Sequence, residues 1–191
     1  MNSITKKFLG LAGGLLALTV LTVPARAFSS STNLDITVSI SATKSLAVTT
    51  TSYDFGAQGV SVATVSATAI DVNNDSNGLQ ETYTIQGANA ASTGGGTTWT
   101  LDVATGTLDH YMLAAQFSTA RPGNSAAAWS SDDTTTSVTA CSATVFGNGT
   151  LAEAGTQVIP QSHRSLWFRL GTPNVVSDVT QRKATITLAV Q

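Results

Sequence analysis

Apolar and polar residues alternate along much of this chain, and that period admits few folds. "LDITVSI" sets Leu34, Ile36, Val38 and Ile40 against Asp35, Thr37 and Ser39. Successive side chains of a strand point to opposite faces, so such a run buries one face of a sheet. "KATITLAV" repeats the device with Ile186, Leu188 and Val190. "SHRSLWFRL" places Leu166, Phe168 and Leu170 on one face and His163, Ser165, Trp167 and Arg169 on the other. Further strand candidates are "SLAV", "SYDFG", "VSVATVSATAIDV", "ETYTIQ", "TTWTLDV", "HYMLAAQFS" and "SVTACSATVF", with turn clusters such as "NNDSNG" and "ASTGGG" between them. Beyond residue 27 the chain holds 28 threonines and 20 serines, residues that suit strands and turns. The expectation is an all-β fold: an immunoglobulin-like or jelly-roll-like antiparallel β-sandwich of about nine or ten strands.

The first 27 residues have a different pattern. Lys6 and Lys7 precede the uncharged apolar run Phe8–Val23, and "PARA" then offers the small residues Ala25 and Ala27. That order is expected of a secretory signal peptide cleaved before Phe28. The apolar run is shorter than the roughly 20 residues a membrane span needs. Residues 28–191 are then expected to be one exported domain, at the cell surface or outside the cell, with the periplasm also open to it. No membrane insertion is expected after cleavage.

Charge and cysteine content narrow the function. Without Lys6, Lys7 and Arg26, six basic residues face eleven acidic ones, a net charge of −5. No basic patch suggests a nucleic-acid partner. The single cysteine, Cys141, cannot form an internal disulfide, so packing must hold the fold. Catalysis needs titratable or nucleophilic groups held together. His110 and Asp109 are neighbours that a strand would point apart, and "GNSAA" lacks the second glycine of a nucleophile elbow. No enzyme activity, metal or cofactor is expected.

"DVNNDSNGLQETY" tests the metal expectation most sharply. Asp71, Asn73, Asp75 and Asn77 stand at alternate positions before Gly78, as in a calcium loop. Counted from Asn73, however, position 12 is Thr84, where such a loop needs a bidentate carboxylate. Alternation continues on both sides, so the stretch reads as strand, turn and strand.

"YDFG" (53–56) with "AIDVNNDSNGLQETYTI" (69–85), and a chain that closes on "SLWFRLGTPNVVSDVTQRKATITLAVQ", resembles secreted bacterial immunoglobulin-like, pilin-like and spore-coat-U-like surface proteins. The resemblance implies a structural subunit of a surface layer, coat or fibre that self-associates or meets other surface proteins. It departs from the pilins that carry a disulfide. An edge strand is a template for the next subunit. "NLDITVSI" follows the leader "FSSST", so Leu34, Ile36, Val38 and Ile40 are the candidate donor strand. Pairing of that strand within its own sheet is the other reading open to it. The alternative function is an extracellular carbohydrate- or cell-wall-binding module. For that, Trp129 in the long loop 119–136, and Trp167 with Arg169, are the candidate ligand- or partner-binding residues.

Overall fold

The computed structural model describes residues 37–191, and its strands all lie within one compact unit, Ile40–Gln191. The fold is all-β. Eleven strands are present among the described residues: β1 (Leu46–Val48), β2 (Ala63–Val65), β3 (Ile70–Asn74), β4 (Tyr83–Gly87), β5 (Ala91–Ser92), β6 (Thr100–Leu101), β7 (His110–Phe117), β8 (Thr139–Ala140), β9 (His163–Gly171), β10 (Arg182–Lys183) and β11 (Ile186–Val190). They form three sheets. The largest runs β1-β3-β9-β7-β6, with β2 also paired to β9; a second runs β11-β4-β8; β5 and β10 make a small pair. All pairings are antiparallel except β6 with β7.

β9 organises the large sheet. Its first half pairs β3 (Ile70 opposite Leu166) and its second half pairs β2 (Ala63 opposite Gly171), while β7 runs along the other edge. The continuous run "VSVATVSATAIDV" is therefore broken into two strands. The break has a local cause. Ser66 N–H donates to the Phe168 carbonyl, but the Phe168 N–H donates to the Ser66 hydroxyl rather than to its carbonyl. The Ser66 carbonyl accepts instead from Arg121 Nε at 2.8 Å. Tyr53, expected in a strand, lies in a loop, and its hydroxyl accepts from Ala67 N–H beyond the break.

The two larger sheets share one apolar core. Val72, Tyr83, Ile85, Tyr111, Leu113, Phe117, Leu166 and Phe168 meet in it with Phe146 and Val158. Each fully buried side chain of this size contributes roughly 1.5–3 kcal/mol by leaving water. Cys141 lies in the same core, and burial pushes its thiol up to about 12, so it packs as a small apolar residue.

The row of oxygen side chains between β3 and β4 does not converge. Asp75 and Asn77 are exposed, and Asp71 turns to His163, 2.7 Å away. The even-numbered residues go inward. Asn74 is fully buried, donates to the carbonyls of Leu79 and Val158, and accepts from Ser76 N–H. Gly78 takes φ +87°, the left-handed conformation the turn requires. Asn74→Ala removes three hydrogen bonds, although the Leu79 and Val158 carbonyls each keep a second donor, Ser76 Oγ and Glu81 N–H. Its cost is about 2–4 kcal/mol in urea unfolding, while Asn77→Ala stays within about 0.5 kcal/mol. Equal costs would show that Asn74 does not hold this turn.

Candidate functional site

Edges of a β-sheet are where one chain can bind another, and the edges of β2 and β11 are treated differently. On β2, outward carbonyls are capped by the long loop. Asn124 Nδ2 donates to Ala63 O and Arg121 Nη2 to Val65 O, both at 2.7 Å. On β11 nothing comparable occurs among the described residues. Gln191 N–H donates to Thr82 O, which places residues 187, 189 and 191 in the bonded set facing β4. The backbone groups of Ile186, Leu188 and Val190 therefore face outward. Their side chains pack against the core yet remain half-buried, as do Leu46 and Val48 on β1, the outer strand of the other sheet. β11 is thus an open edge carrying an incompletely covered apolar face.

The candidate donor residues are placed only in part. Leu34 and Ile36 lie outside the described residues. Val38 and Ile40 belong to no strand and are 81% and 87% exposed. Within residues 37–40 no strand is formed, where the alternation predicted one.

Trp129, Trp167 and Arg169 are brought together, on the face of the large sheet away from the main core. Trp129 is buried, 9% exposed, against Val65, Ala114, Ala128 and Trp167. Its indole N–H donates to Gly123 O, and that of Trp167 donates to Ser118 O. Arg169 is buried and donates to Asn124 O, and burial lowers its pKa below the usual guanidinium range. These groups hold loop 119–136 down on the sheet, and little of the Trp129 ring is left for a sugar to stack on.

Asp133 anchors the far end of the same loop. It is 1% exposed, in a single 3-10 turn (Ser131–Asp133), with Ser130 capping that turn. Its two oxygens accept from Ser130 N–H and Phe146 N–H, each at 2.8 Å. Burial pushes the carboxyl up to about 6, the two N–H donors partly offsetting it and Asp132 adding to it. No residue pattern announced this role; the capping box, Ser130 with Asp133 three residues on, was its only local sign.

The histidines each pair with one aspartate. His110 Nδ1 lies 2.9 Å from Asp102, whose carboxyl is held low by that bond and by the Val103 N–H. His163 pairs with Asp71. Among the described residues, no serine, threonine or cysteine is hydrogen-bonded to either imidazole. Among the described residues no three His, Cys, Asp or Glu side chains gather as metal ligands, and no helix is long and apolar enough to cross a membrane.

The raised Asp133 carboxyl has a signed consequence. Its contribution to stability is full below the ordinary value of 3.8 and is lost as pH rises through about 6. The stability gap between the native protein and Asp133→Asn should therefore narrow by about 2 kcal/mol from pH 4.5 to pH 7.5. Urea midpoints at the two pH values measure it, and a constant gap would contradict the assignment.

Comparison with protein-family models, with curated proteins and with solved structures finds no match to this chain.

Proposed function

We propose that this protein is a secreted, non-enzymatic structural subunit of an extracellular surface layer, coat or fibre, which assembles by β-strand addition. In this reading the two larger sheets form an immunoglobulin-like sandwich that lacks one strand. The missing strand comes from the Leu34–Ile40 segment of another copy. The observation that carries the reading is the open edge of β11, with its outward backbone groups at Ile186, Leu188 and Val190. Half-buried apolar side chains on that edge would become fully buried by an added strand. The exposed Val38 and Ile40 supply the matching half. Main-chain hydrogen bonds would give affinity, and alternate side chains would give specificity.

Deleting residues 28–40 should abolish SDS-resistant oligomers while leaving the far-UV circular dichroism of a β protein. Leu188→Pro offers a second test. It removes an N–H that the subunit's own ladder does not use, so the fold should survive while strand addition is blocked. A synthetic peptide of residues 28–40 should rescue thermal stability of the deletion variant and not of Leu188→Pro. Oligomers that persist in both variants would sink the reading.

A further inference from the structure

The direction of the strands says which surfaces of two copies must meet. β9 runs from His163 to Gly171, and the partners opposite Gly171 are Ala63 of β2 and Met112 of β7. The loops at that end of the large sheet are 59–62, 102–109 and 172–178. Asn174 ties the three together: it accepts from Ser61 Oγ at 3.0 Å and Thr105 Oγ1 at 3.4 Å, and its N–H donates to Thr105 O. The same three loops carry five exposed apolar side chains: Val60 (53%), Val62 (37%), Val103 (58%), Leu108 (51%) and Val175 (56%). Exposed apolar side chains on loops that are cross-linked at one end of a sheet offer a surface another chain can cover.

The occupant follows from the path of the chain. β1 begins with Leu46 opposite Asn74, at the other end of the same sheet, so the chain reaches β1 from that end. β11 runs the opposite way. Its first residue, Ile186, pairs Gly87, next to Ala88, whose carbonyl accepts from Tyr111 near the start of β7; its last, Val190, pairs Tyr83. A strand added antiparallel to β11, the sense of both pairings in that sheet, must leave the acceptor beside Ile186. That is the end carrying the five apolar residues. Only a few residues separate Ile40 from Leu46, about 3.3 Å each when extended, so the donor subunit's body cannot stand far away.

We propose that the surface formed by Val60, Val62, Val103, Leu108 and Val175 is the contact for a second copy of this chain. It receives the end of the donor subunit that carries the β1 start and the β3–β4 turn. The proposal rests on strand addition at β11 and adds a separate docking surface to it. The two interfaces make the assembly head-to-tail and fix the orientation of successive copies.

The test uses the full exported chain carrying Leu108→Asp and Val175→Asp, both on exposed loops where the fold should tolerate them. Assembly is followed by light scattering, and uptake of a labelled peptide of residues 28–40 is measured on protein diluted to monomer. The expected result is a critical concentration for assembly raised at least about tenfold, a coupling of about 1.4 kcal/mol, with peptide uptake unchanged. Assembly equal to that of the native protein, with peptide uptake retained, would overturn the surface and leave strand addition standing. Loss of peptide uptake in the variant alone would place the defect at β11 and also overturn it. If the native protein neither assembles nor takes up the peptide, strand addition fails and this surface falls with it.

Discussion

The structure depends on β9 being paired along both edges and covered on both faces. Leu166 and Phe168 face the main core, and Trp167 and Arg169 face the long loop. A strand in that position cannot slip by one residue, because the slip would drive Arg169 into the core and Phe168 under the loop. Register in β2, β3 and β7 follows from it. With one cysteine and few ion pairs, this two-sided burial does the work that a disulfide does in many small exported domains.

Two edges of this architecture are handled in opposite ways. Arg121 and Asn124 spend their hydrogen bonds on β2, and the loop that carries them is pinned by Trp129 and Asp133. Unprotected edges invite pairing with other chains, and proteins normally blunt them. β11 carries no charge, no proline and no capping side chain, and its sequence is among the most regularly alternating in the chain. β1, the outer strand of the large sheet, is likewise uncapped at Leu46 and Val48 among the described residues.

Much of this was legible in the chain because period 2 reports faces directly. The division of "SHRSLWFRL" into two sets gives the two faces of β9, although Arg169 of the polar set is buried as well, and β11 lies where alternation put it. The turn at 75–80 was readable from Asn77-Gly78. What escaped were bonds between distant residues. The break at Ser66 depends on Phe168 and Arg121, and β5 pairs with β10 through only two residues from far along the chain. Asn74 stood outside the oxygen row of Asp71, Asn73, Asp75 and Asn77, and its bond to the Val158 carbonyl joins residues that no local pattern connects. Trp167 and Arg169 share a face in the sequence pattern, but periodicity cannot say whether that face meets solvent or a loop. Likewise it marks β11 as a strand without showing that one edge has no partner.

The central claim is that the outward edge of β11 receives a strand from another copy. Amide hydrogen exchange, resolved by residue, tests it directly on dilute monomer and on assembled protein. Assembly should slow exchange at Ile186, Leu188 and Val190 by orders of magnitude, while Thr187 and Ala189, already bonded to β4, change little. Unchanged exchange at Ile186, Leu188 and Val190 in the assembled protein would contradict the account.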